Sequence, residues 1–517
     1  MKMARFLRFN GVSFAYDGMV GNLLEDVEAY FPEGGWTGIV GANGCGKTTL
    51  LRLAAGELAP SSGTVGSLGL ARYVVQRTDF APPEFEEFLQ ARDAVAIAWR
   101  ARLGVREDWS GRWETLSHGE RKRAQIAAAL WREPGVLALD EPTNHLDETA
   151  KATLLKALKA FTGAGLVVSH DRDFLDALCA QCLFIFPPKA TMRPGGVTAG
   201  MEQDRREQDF RRARDTEAKD EARHLRDAAQ RRFEMAQQAA ARNKAARNVK
   251  IAANDHDGRA KRNLAKLTGK NAWAVSQSAA IGKRAAKAEA SRRGLAPRKE
   301  YEMGFWLNGG ERSRRDYVLS LDAGSLTLGD GRELRFPEIR VRPEDRIALT
   351  GDNGIGKSTF LKHILAYANV PAEKLLVVPQ EISEAESAAI LADVKTLGRE
   401  SLGRVMTGVS RLGSRPGRLL ESESPSPCEI RKILLAMGAD RGIHLLVMDE
   451  PTNHLDLPGI ECLEEALAEC PCAMILVSHD RRFLSRVGAV EWRIGETGDG
   501  GVGLTVAPQG GHRANLL

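Results

Sequence analysis

No run of 18 consecutive apolar residues occurs in this 517-residue chain, which excludes membrane-spanning helices as its organising elements. Its start, MKMARFLRFNGVSF, lacks the apolar stretch of a signal peptide, so a cytoplasmic protein is expected. Seven cysteines, at 45, 179, 182, 428, 462, 470 and 472, follow no disulfide spacing. The CxxC formed by Cys179 and Cys182 has no second pair at zinc-finger distance, so the cysteines read as small buried residues of a reducing compartment. Residues 201 to 257 contain neither Gly nor Pro, which leaves nothing to interrupt a helix there.

What is present is a duplication. GANGCGKTT at 41–49 returns as GDNGIGKST at 351–359, VLALDEPTNHLD returns as LLVMDEPTNHLD, and VVSHDRDFLD returns as LVSHDRRFLS. The offsets agree: Lys47 to Lys357 is 310, while Asp140 to Asp449, His170 to His479 and Ser117 to Ser426 are each 309. Two complete modules therefore share one chain. Each alternates short apolar runs (GWTGIV, VLAL, GLVV; RIAL, HLLVM, MILV) with helical patterns, which predicts an α/β fold on a largely parallel, buried sheet. With 43% hydrophobic and 27% charged residues, the composition is that of a globular protein, and the length predicts about three domains.

Between the modules, Ala218, Ala222, Leu225, Ala229, Phe233, Ala236 and Ala240 recur at steps of three and four, one stripe of a long helix with a narrow seam. A helix over 202–247 would reach roughly 70 Å. The turn signal NDHDG at 254–258 precedes a second helical stretch, so an antiparallel hairpin is expected, with Leu264, Leu267, Ile281, Ala285 and Ala288 able to face the first helix. Residues 201–240 carry 10 Lys+Arg against 10 Asp+Glu, whereas 241–300 carry 16 against 4, a local charge of +12 in a chain whose total is +5. Such concentrated positive charge on a projecting element suits phosphate backbones, nucleic acid above all. Arg242, Lys244, Arg247, Lys250, Arg259, Lys261, Arg262, Lys266 and Lys270 are the RNA-binding candidates. The expected domains are 1–190, a hairpin linker over 191–300, and 301–517.

GxxxxGK[ST] after a buried strand is a phosphate-binding loop, whose glycines let backbone N–H groups close around the phosphates at a helix N-terminus. The loops comprise Gly41, Ala42, Asn43, Gly44, Cys45, Gly46, Lys47, Thr48 and Thr49, and Gly351, Asp352, Asn353, Gly354, Ile355, Gly356, Lys357, Ser358 and Thr359. Lys47 and Lys357 reach for the β- and γ-phosphates, and Thr48 and Ser358 are positioned to ligate Mg²⁺. Asp140 and Asp449, each ending an apolar strand, suit the metal's shell, and the adjacent Glu141 and Glu450 suit orientation or deprotonation of the attacking water. Gln76 and Gln380 suit a metal and water sensor, and His170 and His479 a hydrogen bond to the γ-phosphate.

Together, GxxGxGK[ST], the later Gln, LSxGE, DEPTNHLD and SHD resemble an ATP-binding cassette, and both modules, about 400 residues, are covered. Two cassettes in one chain without membrane spans, EPTNHLD in both and a basic helical linker between them, are similar to the ABC-F class of soluble ATPases. The resemblance implies two cassettes closing over two ATP molecules with Mg²⁺, acting as a monomer on the ribosome, with the linker near ribosomal RNA and the peptidyl-site tRNA. Some members tune translation and others displace antibiotics.

The resemblance also implies composite sites. Site one combines Lys47, Gln76, Glu141 and His170 with Ser426; site two combines Lys357, Gln380, Glu450 and His479 with Ser117 and Gly119. The copies differ. Leu116 and Gly119 have Pro425 and Cys428 as counterparts, and Tyr16, at the family's adenine-stacking position, has Leu328. Both Ser117-His-Gly-Glu120 and Ser426-Pro-Cys-Glu429 still read as capping boxes, so site one is expected to bind ATP yet hydrolyse it more slowly than site two. Only 40 residues, 77–116, separate Gln76 from Ser117, leaving no room for a long inserted arm, and no long basic extension follows residue 490. A DNA-binding ATPase uses the same charge argument, and a transporter's paired ATPase subunit leaves the basic hairpin without a role.

Overall fold

The computed structural model describes residues 6–19, 21–67, 69–144, 146–247, 270–292, 312–380, 382–412, 427–453, 455–488, 490–498 and 501–508. The chain forms two compact units, Met1–Gly200 with Tyr301–Leu517, and Met201–Glu300.

In the first module a six-stranded sheet runs in the order Ala71–Val74, Val136–Asp140, Ala164–Val168, Trp36–Gly41, Gln181–Phe186, Lys189–Pro194. The first five strands are parallel and the last is an antiparallel edge. Every residue of Val136–Asp140, Ala164–Val168 and Trp36–Gly41 is buried, which explains why these segments read as unbroken apolar runs rather than alternating ones. A three-stranded antiparallel sheet (Leu24–Phe31, Leu7–Phe14, Ser62–Ser67) shares the same core, with Phe9, Phe31, Leu50 and Leu51 fully enclosed.

The second module has an eight-stranded sheet in the order Gly324–Thr327, Glu333–Phe336, Val502–Pro508, Val490–Glu496, Arg346–Thr350, Ala473–Val477, Leu445–Asp449, Leu375–Val378, and a separate antiparallel pair, Leu319–Leu321 with Ile339–Val341. Its central register repeats that of the first module: Asp140 pairs with Val168 and Asp449 with Val477. In both, the phosphate-loop strand, the Asp-Glu strand and the Ser-His-Asp strand end side by side at their carboxyl edges, where an open parallel sheet places its ligands.

In the separate unit, the helix that starts at Val197 runs to Arg247, and a second spans Lys270–Arg292. They pack antiparallel: Arg226 pairs with Glu289, and Arg232 Nη1 donates to Gln277 Oε1 at 2.6 Å. Ala222 and Ala285 are buried and Ala218, Leu225, Ala229 and Ile281 half-buried. Phe233 departs from the expected seam, being 41% exposed; the side chains of Ala236, Ala240 and Ala288 lie outside the described ones. Lys250, Arg259, Lys261, Arg262, Lys266, Leu264, Leu267 and the NDHDG turn lie outside the described residues; Arg242, Lys244, Arg247 and Lys270 lie on described helices.

Candidate functional site

Each phosphate loop turns through two left-handed glycines, Gly44 and Gly46 (φ +75° and +101°) or Gly354 and Gly356 (φ +75° and +105°), and then enters its helix at Lys47 or Lys357. A side chain at Gly356 would lie 2.6 Å from Leu328 Cδ2, so the position requires glycine for space as well as for φ. The lysines fold back onto their own loops. Lys47 Nζ donates to Gly41 O (2.8 Å) and Ala42 O (3.2 Å), and Lys357 Nζ to Gly351 O (2.7 Å) and Asp352 O (3.0 Å).

The hydroxyl of Thr48 donates to Asp140 Oδ2 at 2.8 Å, and that of Ser358 to Asp449 Oδ2 at 2.9 Å. Burial pushes both carboxyl pKa values up, opposed by these hydroxyls. A hard hydroxyl and carboxylate pair fits Mg²⁺, which takes few protein oxygens and completes its shell from phosphates and water. Among the described residues no cluster of three or more His, Cys, Asp or Glu suggests another metal.

Glu141 and Glu450 both adopt φ +47°, a left-handed conformation that a glutamate enters at a cost of roughly 1–3 kcal/mol. The surroundings hold them there. Each N–H donates back to the neighbouring strand, at Val168 O (2.9 Å) or Val477 O (2.8 Å), and each carbonyl accepts from the Asn three residues on. The carboxylates are thereby turned inward: Glu141 Oε2 and Glu450 Oε1 are buried without a hydrogen-bond partner among the described residues, a vacancy of hydrogen bonding that suits a water.

The paired histidines differ in setting. His170 Nε2 lies 2.9 Å from Glu141 Oε1, and although burial opposes ionisation, His170 holds the Glu141 carboxyl below its usual range. His479 Nε2 lies 3.5 Å from Glu450 Oε1 and nearer to Asn353 Oδ1 (3.0 Å) and Lys357 Nζ (3.3 Å). Burial, with Lys357 adding to it, pushes His479 down to about 3, so its imidazole is neutral. Burial pushes Glu450 up to about 7, against the pull of Lys357.

The two modules meet through these same loops. A cavity of about 540 Å³ is lined by Ser117, His118 and Gly119 of the first module and by Asn353, Gly354, Gly356, Lys357, Ser358, Thr359, Gln380, Asp449, Glu450 and His479 of the second. Ser117 caps the helix His118–Trp131 with a complete capping box, and the N-terminus of that helix lines the cavity. Another cavity of about 550 Å³ holds Tyr16, Asn43, Gly44, Gly46, Lys47, Thr48, Thr49, Gln76, Asp140, Glu141 and His170. Tyr16 is 41% exposed there, its hydroxyl 2.9 Å from Thr49 Oγ1. Its counterpart Leu328 is buried beneath Gly356, so it offers no surface for a base; the hairpin that carries it closes tightly, with Leu328 N–H donating to Arg332 O. Ser426 lies outside the described residues, and the counterpart helix starts at Pro427.

Several partners escape a reading by motif. Asp456 and Asp147, the last residues of the two DEPTNHLD segments, accept from the opposite phosphate loops, at Asn43 N–H (2.7 Å) and Asn353 N–H (3.5 Å). Their shared offset of 309 was the available signal. Buried Lys122 donates to Val75 O (2.7 Å) and Gln76 O (2.8 Å), and Arg431, 309 residues later, donates to Gln380 O, so each Gln loop is held by a cation of its own module. Arg172 forms a buried two-pronged pair with Glu464 across the modules, whereas Arg481, 309 later, pairs with exposed Glu148.

Two phosphate loops, each with a metal-side hydroxyl and carboxylate, an adjacent glutamate and a histidine, joined face to face, define a paired ATP-binding cassette. The family model described as ABC transporter matches residues 24–144. The chain is 30% identical over 490 residues to the ATP-binding protein Uup of Caulobacter vibrioides, covering 90% of this chain and 73% of that one. It is 27% identical to the ribosome protection protein VmlR of Bacillus subtilis (90% and 82% covered) and 29% identical to the tylosin resistance ATP-binding protein TlrC of Streptomyces fradiae (93% and 95%). In fold it matches the solved RNase-L Inhibitor at a TM-score of 0.61 and 17% identity, covering 96% of this chain and 90% of that one. This chain belongs to the ABC-F family of ATP-binding cassette proteins. Among the described residues no helix is long and apolar enough to cross a membrane.

Proposed function

We propose that this protein is a ribosome-associated ATPase whose cassettes, 1–190 and 301–517, bind two ATP molecules between them, and whose linker, 191–300, contacts RNA. The observation that carries the reading is the shared cavity, in which Ser117 and Gly119 of one cassette face Lys357, Ser358 and Glu450 of the other. The relatives named for ribosome protection and for tylosin resistance support the ribosome as partner.

In this reading the loop N–H groups and lysines bind the phosphates, and Lys47 and Lys357 exchange their carbonyl partners for phosphate oxygens. Thr48 with Asp140, and Ser358 with Asp449, hold Mg²⁺, which when bound neutralises charge on the β- and γ-phosphates. Glu141 and Glu450 accept a hydrogen bond from the attacking water at their unpartnered oxygens and draw its proton as the water oxygen bonds to the γ-phosphorus and the bond from that phosphorus to the β–γ bridging oxygen breaks, releasing ADP. His170 orients Glu141, and a ring N–H of neutral His479 donates to the γ-phosphate. Each nucleotide links the cassettes, so ATP favours the closed arrangement and hydrolysis removes that preference. The basic residues Arg242 to Lys270 read out the closed state by binding RNA near the peptidyl-site tRNA, which tunes translation or displaces a drug.

The test is the double variant Glu141→Gln with Glu450→Gln, sedimented with ribosomes in ATP or ADP. Co-sedimentation in ATP that weakens with salt is expected. Intact ATP binding without co-sedimentation contradicts the proposal, and retention on DNA in place of ribosomes redirects it.

A further inference from the structure

Asp140 differs from its counterpart in one respect that the shared motifs do not reveal. Its Oδ2 accepts from Thr48 and also from the hydroxyl of Tyr73, at 2.9 Å. Tyr73 stands on the edge strand Ala71–Val74 opposite Ala138, and its ring packs against the core of the first cassette. In the second cassette the matching register position, opposite Val447 (138 plus the repeat offset of 309), is Val377, which has no hydroxyl. Asp449 is correspondingly less enclosed, and Ser358 is its only side-chain hydroxyl donor among the described residues.

We propose that Tyr73 is a positioning residue for the metal-side carboxylate of site one, and that its replacement by Val377 gives the two sites different divalent-cation requirements. The proposal rests on the reading that Asp140 and Asp449 serve Mg²⁺ with ATP. Two hydroxyls on one carboxylate oxygen occupy both of its lone pairs and fix the rotation of the group, so Asp140 is ordered before the cation arrives. Asp449, tethered once, loses rotational freedom only as the cation binds, and that ordering counts against its affinity. Site one therefore fills with Mg²⁺ at lower concentration than site two. The hydroxyl does not touch the reacting atoms; it acts through Asp140.

The sites are separated in the full chain by Lys357→Ala, which leaves site one, and Lys47→Ala, which leaves site two. Binding of a fluorescent ATP analogue is then titrated with Mg²⁺, and with Mn²⁺ followed by electron paramagnetic resonance. Tyr73→Phe is expected to raise the Mg²⁺ midpoint at site one roughly three- to tenfold, the scale of one ordinary hydrogen bond, without changing analogue binding in EDTA. Val377→Tyr, at a position already 39% exposed, is expected to lower the midpoint at site two. Midpoints within twofold of the parent in both variants, or an equal loss of binding in EDTA, overturn the proposal. Asp140→Asn separates the two levels: if it leaves the Mg²⁺ dependence of site one intact, the assignment of Asp140 fails and Tyr73 with it. If it abolishes that dependence while Tyr73→Phe does not move it, only the inference about Tyr73 fails.

Discussion

The two nucleotide centres have the same backbone and different electrostatics. Glu141 and Glu450 share φ +47° and the same bond to the neighbouring strand, yet Glu141 is held ionised by a histidine at 2.9 Å, while Glu450 rises to about 7 with its histidine at 3.5 Å. The difference lies in the surroundings of the second histidine. Burial, with Lys357 at 3.3 Å adding to it, lowers the affinity of His479 for a proton, so His479 does not offset the burial of Glu450. A duplicated motif thus reproduces positions of atoms, whereas the charge state of a group responds to shifts of a few tenths of an ångström in its neighbours.

The largest expected effect comes from replacing the two glutamates proposed as bases. With each site isolated by its lysine variant, Glu141→Gln or Glu450→Gln should slow single-turnover hydrolysis at its own site by about 10²–10⁴-fold and leave the other site unchanged. Equal slowing of both sites by one substitution would merge the two centres into one.

The cassette contacts offer a comparable contrast. Arg172→Ala leaves Glu464, which is fully buried, facing Arg486 alone at 3.0 Å, and should cost about 3–5 kcal/mol in chemical denaturation. Arg481→Ala, in the exposed pair with Glu148, should cost under about 1 kcal/mol.

Next is pH. Glu450 acts as a base only when deprotonated, so from a carboxyl at about 7 hydrolysis at site two should fall close to tenfold between pH 7.5 and about 6. At site one, where the carboxyl is lowered, single-turnover rates should stay nearly flat over that range. The smallest effect is on stability without nucleotide. A carboxyl raised from 4.5 to about 7 on folding gives stability that is present below 4.5 and lost as pH rises through 7. Glu450→Gln should therefore raise Tm at pH 8 by about 2–4 °C, and Glu141→Gln should not raise it.

Much of this arrangement is legible in the sequence because repetition multiplies evidence. Buried parallel strands ending in Asp140 and Asp449 are visible as apolar runs, and the capping box at Ser117 is visible as Ser-x-x-Glu. Beyond Gly200 the helix Val197–Arg247 follows from a stretch without Gly or Pro, although Phe233 fits the period and is nevertheless 41% exposed, since periodicity records a face and not whether a partner covers it. Tyr73, Lys122 and Arg172 were not legible. Each acts on a group distant in sequence, and in an apolar strand or a basic helix such residues look like packing or surface charge. Leu328 shows the reverse failure: the alignment places it at the adenine position, but a hairpin closing through Arg332 turns it under Gly356.

The central claim, that the second site is built by both cassettes, is tested most directly by Ser117→Arg combined in turn with Lys47→Ala and Lys357→Ala. Single-turnover ATP hydrolysis should be lost in the Lys47→Ala background, where only site two remains, and be retained in the Lys357→Ala background. Retention in the first and loss in the second would contradict the account.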